Sequence, residues 1–273
     1  MSGTRIIITG AASGIAAATM AELRARGAEV VGLDLNANGD DLISCDVRDQ
    51  ESVDGAVAAA SERLGGGVDV LINCAGLATP QSAGEPPDAR ALAVIDVNMV
   101  GPWRATSAAL PALRLSRGRV VNVASGMAFV ALPFAAAYAM SKHGVVAYSQ
   151  ALRLEHGDAI SVTTVYPGFI RTPIHKDSIE FGMTLAGSSP EERLEDATGA
   201  LVRAALDSPP ARDIVTTRTG KVTVALSRFA PRGFVDWVIL RQMRKGMQGQ
   251  HVDESASGPL SDFAKRVSGK TRA

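Results

Sequence analysis

Tyr138 and Lys142 stand four residues apart in the run Tyr-Ala-Met-Ser-Lys, one helical turn on a shared face. A free phenol ionises near pH 10, too high for a base at neutral pH. A cation held beside it stabilises the phenolate and turns a poor base into a usable one. The pair could then take a proton from an alcohol oxygen, or return one to it. Ser125 follows the apolar run at 119–123 and could hold that oxygen while the proton moves. Asn98 ends a helical stretch in Asn-Met-Val-Gly, and its amide, if buried, needs partners, one of which could be a water leading to Lys142. Each residue also has a plainer reading: an exposed Tyr and Lys on a helix surface, a turn serine, a structural amide.

A second group could hold a cofactor. The first strand runs into Thr9-Gly10-Ala11-Ala12-Ser13-Gly14-Ile15-Ala16. Glycines at a strand-to-helix turn let the backbone approach a pyrophosphate, and the helix that starts there aims free N–H groups at the anion. Alone, such a turn is also an ordinary βα connection. Asp34 closes the second strand some twenty residues on, where a carboxylate can accept both adenosine ribose hydroxyls and would repel a 2′-phosphate. Leu35, Asn36 and Ser13 supply no cation for a phosphate. The pattern predicts NAD(H) in preference to NADP(H). The positive ring of NAD⁺ would add to the effect of Lys142 on Tyr138.

These residues need elements to position them. Short continuous apolar runs at 5–9, 29–34, 41–44, 69–73, 119–123, 160–166 and 213–217 predict strands buried on both faces. Between them lie Ala-rich helical stretches at 15–26, 52–64, 89–98, 102–115, 133–155 and 191–206. Alternating strands and helices imply right-handed crossovers and a single Rossmann-type α/β domain, a doubly wound parallel sheet of about seven strands over residues 1–217. After Gly220 the chain turns basic and helical. We expect an amphipathic extension at 218–250 packed on the domain, then a flexible tail at 251–273.

The chain has 273 residues, with 28 Lys plus Arg balanced by 28 Asp plus Glu, so no global charge draws it to nucleic acid. Cys45 and Cys74 show neither disulfide nor zinc spacing and read as reduced structural thiols; no metal site is expected. A signal peptide and a transmembrane run are both missing from the sequence pattern, which predicts a cytoplasmic protein.

Together the motifs resemble the short-chain dehydrogenases/reductases over about residues 5–217. The glycine motif is similar to TGAASGIA, which assigns Gly10, Ser13, Gly14 and Ile15 to the cofactor. Asn73-Cys74-Ala75-Gly76 resembles the family's NNAG motif beneath the adenine side, with Asn73, Ala75 and Gly76 as cofactor residues. Asp46 and Val47 match the pair that meets the adenine ring. Asn98, Ser125, Tyr138 and Lys142 match the catalytic set. Pro167, Gly168, Ile170 and Thr172 match the segment beside the nicotinamide. The resemblance implies that Lys142 also bonds the nicotinamide ribose, and that Asn98 holds a water in a proton relay. It implies hydride transfer between the nicotinamide and a carbon bearing a hydroxyl or ketone. Three positions depart from the pattern. Ala16 replaces the third glycine, Cys74 replaces the second Asn, and the family's Gly-rich closing segment is absent, which weakens a carry-over of its tetramer.

The substrate side reads as apolar. Met127, Phe129, Val130, Leu132 and Phe134 lie between Ser125 and Tyr138, and Ile174, Ile179, Phe181, Met183 and Leu185 follow Thr172. His175, Lys176, Asp177 and Glu180 read as rim residues. We expect a hydrophobic secondary alcohol or its ketone, steroid-like or long-chain. A 3-oxoacyl-thioester reductase and an NAD(H)-binding regulator without turnover are the alternatives. The small residues Ala105, Ala108, Ala109, Ala135, Ala136, Ala137, Ala147 and Ala151 suggest close helix packing in a homodimer or homotetramer. For the basic extension, packing on the protein, beside the substrate segment or across a subunit boundary, is preferred to contact with a membrane surface.

Overall fold

The computed structural model describes residues 3–39, 41–177, 191–217, 220–222, 224, 229–247 and 261–263. Seven strands form one parallel sheet: β1 (Arg5–Thr9), β2 (Glu29–Asp34), β3 (Leu42–Ser44), β4 (Val70–Asn73), β5 (Arg119–Val123), β6 (Ser161–Tyr166) and β7 (Asp213–Val215). Their order is β3-β2-β1-β4-β5-β6-β7. Continuous apolar runs form these strands because both faces are covered. Ile6, Ile7 and Ile8 of β1 are all fully buried.

Alternate residues of each strand feed two cores. Ile7, Leu71 and Val120 pack with Val53 and Val57 of α2 (Gln50–Arg63), and with Ala105, Ala109 and Leu113 of α4 (Gly101–Ser116). Ile6, Ile8, Ile72 and Val121 pack with Ala16 and Leu23 of α1 (Gly14–Ala25), and with Leu201 and Ala205 of α6 (Leu194–Leu206). Each fully buried Leu or Ile contributes about 1.5–3 kcal/mol. The expected doubly wound architecture is what the chain adopts.

The order places β1 and β4 side by side at the centre, and the chain winds outward from them in both directions. The carboxyl ends of those two strands form the switch point of the sheet, where open α/β sheets bind ligands. The glycine turn follows β1, and Cys74, Ala75 and Gly76 follow β4.

Three features differ from the sequence reading. The stretches expected at 89–98 and 102–115 form one continuous helical rod. α3 (Ala89–Ile95) passes into α4 through a wide π-turn at Asp96–Val100, where the Gly101 N–H reaches Asp96 O. Next, the extension forms α7 (Arg232–Met247) after Pro231, but Phe234, Trp237 and Leu240 remain 49%, 53% and 42% exposed rather than packed on their own domain. Finally, the tail is not without contacts. Ser261 and Phe263 are buried, and the Phe263 ring meets Phe134 edge-on at 5.5 Å. α5 (Ala136–His156) completes the helices that frame the site.

Candidate active site

At the glycine turn, Gly10 has φ +75°, and a β-carbon there would lie 2.7 Å from Ala75 Cα, so only glycine fits. The Thr9 hydroxyl accepts from the N–H groups of Cys74 and Ala75, both at 3.1 Å, and ties the two loops together. Ser13 is the N-cap residue of α1, yet its hydroxyl makes no capping bond. That leaves it open to an anion at the helix start. Ala16, in place of the third glycine, is buried against the sheet, so its methyl fills the helix-to-strand contact.

Asp34 sits at the end of β2 with both oxygens oriented by backbone. Oδ2 accepts from Ala12 N at 3.0 Å and Oδ1 from Asn36 N at 2.9 Å. These bonds fix the carboxylate beside the glycine turn. Asp46 is differently engaged. It forms a forked pair with Arg48, whose guanidinium holds the carboxyl below its ordinary value. Val47 belongs to the core beside Gly101.

Two residues expected at the cofactor or the relay have side chains held by protein groups. Asn73 is buried and donates to Asn122 Oδ1 at 2.8 Å and Thr106 Oγ1 at 3.1 Å. Its amide stitches β4 to α4 and β5 and does not reach the adenine side. Asn98, within the π-turn, accepts from Leu77 N at 2.7 Å and donates to Leu77 O at 2.8 Å and Ser141 Oγ at 3.1 Å. Both amide hydrogens are taken by protein groups, and Oδ1 accepts one bond and keeps a second lone pair.

The chemical groups converge at the carboxyl end of β5. Ser125 caps a short turn at Gly126–Ala128 and lies beside the Tyr138 phenol, where its hydroxyl favours the ionised form. Lys142 is 4% exposed, donates to Val123 O at 3.0 Å, and lies 5.6 Å from the Tyr138 ring centroid. Burial pulls the ammonium down to about 8. Burial also pushes the Tyr138 phenol up, with Ser125 opposing it. The phenolate therefore needs positive charge beyond the protein's own, which an oxidised nicotinamide supplies when bound. The Cys74 thiol, pushed up to about 11 by burial, is neutral beside them.

Beyond β6, Thr172 approaches the glycine turn. A β-carbon built on Gly14 would stand 3.6 Å from Thr172 Cβ, and one on Gly76 would stand 3.7 Å from Ile174 Cδ1. The segment after β6 thus crosses the gap between the two loops, above Pro167 and Gly168. Ile170 is buried beneath it.

A family model described as short chain dehydrogenase matches residues 4–181. The chain belongs to the short-chain dehydrogenase family. A putative ketoacyl reductase from Streptomyces coelicolor is 36% identical over 66% of this chain and 66% of its own length, just under two thirds. The structure of a short chain dehydrogenase from Burkholderia cenocepacia J2315, in complex with NADP, superposes with TM-score 0.74 at 25% identity, covering 87% of this chain and 98% of that one. A 3-ketoacyl-(acyl-carrier-protein) reductase from Brucella melitensis, complexed with NADH, gives 0.69 at 26% identity over 80% and 99%. Membership makes this chain an oxidoreductase built around a nicotinamide cofactor.

Four residues around this dehydrogenase site escaped the sequence reading. Ser141 is fully buried and donates to Tyr138 O at 2.7 Å while accepting from Asn98, so it locks α5 to the π-turn. Gly144 has no room for a β-carbon because the Met99 sulfur fills the space. Arg90 of α3 pairs with Asp177 beyond Thr172, tethering the start of the substrate segment. Glu192 is the fourth. It is 5% exposed, and its Oε2 accepts from Gly168 N at 2.5 Å and Thr216 Oγ1 at 2.7 Å. It fixes the loop on which the nicotinamide would rest. Only Ser141 carried a signal, its place one turn beyond Tyr138. Of the apolar residues expected at the pocket, Phe129 packs on Tyr166 at 4.9 Å. Ile179, Glu180, Phe181, Met183 and Leu185 lie outside the described residues.

Proposed function

We propose that the chain interconverts a hydrophobic secondary alcohol and its ketone with NAD(H), using Tyr138 as the proton donor and acceptor. Lys142 held beside Tyr138, with Ser125 next to the phenol, carries the chemistry. Ser125 holds the substrate oxygen, Tyr138 exchanges its proton, and Lys142 supplies positive charge in a desolvated setting. Hydride passes directly between the cofactor and the substrate carbon when both are bound. A non-catalytic NAD(H) binder would have no need of a buried lysine held beside a buried phenol.

Asp34 supports the NAD(H) reading, because its oriented carboxylate would bind ribose hydroxyls and repel a phosphate. Bonds to charged groups are worth about 1.5–3 kcal/mol, so at least a tenfold preference in kcat/KM is expected. Asp34→Ala should erode it. Faster turnover of the unaltered protein with NADPH than with NADH, assayed on a panel of steroid, aliphatic and aromatic substrates, would overturn the assignment.

The names of two similar proteins favour a second reading, reduction of a 3-oxoacyl thioester. The Brucella reductase was crystallised with NADH, so Asp34 does not by itself argue against this chemistry. Acetoacetyl thioesters assayed beside the alcohol panel decide between them.

Self-association is also supported. The outer faces of α4 and α5 leave Trp103, Leu115, Met140 and Leu154 at 62%, 90%, 61% and 80% exposure. Ala105, Ala109 and Ala137 instead face the protein's own core. The contact between copies would therefore use Ala147 and Ala151 with these larger residues, and at least a dimer is expected by light scattering.

A further inference from the structure

α7 turns toward solvent what a helix ordinarily buries. Phe234 and Trp237 stack with ring centroids 6.0 Å apart and stay about half exposed. One turn on, the Arg241 guanidinium lies 5.1 Å from the Trp237 ring centroid. Positions 234, 237, 241 and 244 advance by three and four residues, so they share one stripe. Phe229 and Val222, just before the helix, are 86% and 59% exposed. α7 has no extensive packing against any strand or other described helix.

Charge selects the partner. Residues 218–247 hold seven arginines and lysines against Asp236 alone, a net of +6. The whole chain is neutral, so the remainder carries −6. The centre of a protein interface is depleted of charge. Arginine and tryptophan occur in protein contacts too, but a segment with a net charge of +6 and one acidic residue calls for an anionic partner, which a second copy of this neutral chain is not. The segment suits the headgroup layer of a bilayer, where aromatic rings settle at the boundary and cations meet phosphate oxygens. None of the described helices is long and apolar enough to cross a membrane, so contact would be from one side.

We propose that α7 is a docking surface for membranes rich in anionic lipid. Phe234 and Trp237 enter the headgroup boundary, and Arg241 beside them binds lipid phosphates. The negatively charged remainder of the chain is repelled by the same surface, so the protein docks in one orientation.

The test uses the full chain with vesicles of phosphatidylcholine alone or mixed with phosphatidylglycerol. Co-sedimentation with the mixed vesicles only, lost at high salt, is expected. Trp237→Ser should weaken it about tenfold, as burial of a large aromatic ring predicts. Arg241→Glu should weaken it roughly fivefold or more. A Trp103→Phe protein leaves Trp237 as the only tryptophan, and brominated acyl chains should quench its emission with no change to α7. Equal binding to both vesicle types, or unquenched Trp237, would overturn the proposal. So would a fall in oligomer mass on Trp237→Ser with vesicle binding retained, which would make α7 an interface between copies.

Discussion

The carboxyl edge of the sheet and the C-terminal extension treat apolar and charged groups in opposite ways. At the sheet edge the side chains that orient the site are held by groups of the same chain. Asp34 is held by two N–H groups, Glu192 by Gly168 and Thr216, and Asn98 by Leu77 and Ser141. In α7 the largest side chains face outward and the charges go unbalanced. A site that must hold atoms still is completed by its own chain. A surface that must meet something else is left incomplete.

The sharpest way to probe the first half of that contrast is Tyr138→Phe. It should lower kcat by about 10²–10⁴-fold while NADH binding stays nearly intact, because only the proton-transfer group is lost. Near-normal turnover would place the acid and base elsewhere. Glu192→Ala should come next. The Gly168 N–H loses its acceptor inside the protein, at a cost of about 1–3 kcal/mol, so KM for the cofactor should rise about tenfold with little change in kcat. Glu192→Gln keeps an acceptor oxygen and should restore most of the loss. If both variants bind cofactor normally, the loop does not depend on this carboxyl.

Truncation after Gln250 tests the extension from the other side. The sequence predicts a flexible tail, but the tail buries Phe263 against Phe134. Loss of that contact should reduce stability by about 1–2 kcal/mol after the entropy of ordering is offset. It should also raise KM for bulky apolar substrates, since Phe134 lies between Ser125 and Tyr138. An unchanged melting temperature and KM would return the tail to a passive role.

The smallest effect concerns Lys142 and pH. Burial lowers its folded-state value from 10.5 to about 8, so the unfolded chain binds the proton more tightly. Stability contributed by this residue must then rise with pH between those values. Relative to Lys142→Met, the unaltered protein without cofactor should gain about 1 kcal/mol between pH 7 and pH 9. A parallel pH dependence of the two proteins would show that the ammonium is better solvated than its burial indicates.

The fold was legible because its strands are short apolar runs bounded by glycine and polar turns, and because burial on both faces leaves no alternation. The glycine turn, Asp34, Ser125, Tyr138 and Lys142 were legible from residue type and spacing. The orientation of an amide was not. Asn73 and Asn98 are the expected residues in the expected segments, yet their side chains point to partners that only tertiary packing supplies. Glu192 left no trace at all. It sits 24 residues from Gly168, and no local pattern links a carboxyl to the N–H it accepts from. What covers the extension is not legible either, because the sequence shows that apolar residues cluster without showing what meets them.

The π-turn at Asp96–Val100 can be restated as a matter of phase. A residue in an α-helix advances the azimuth by about 100°. One additional residue within a turn therefore rotates everything before it by that amount relative to everything after. α3 and α4 are one rod with two buried faces, one set against α5 and the other against α2. Removing a single residue from Asp96–Val100 would mend the hydrogen-bond ladder and still misdirect the protein. α3 would swing off α5, Asn98 would lose its hold on Leu77, and Arg90 would turn away from Asp177. The irregular turn is thus a phase-setting device, and the site depends on the helix being one residue out of step.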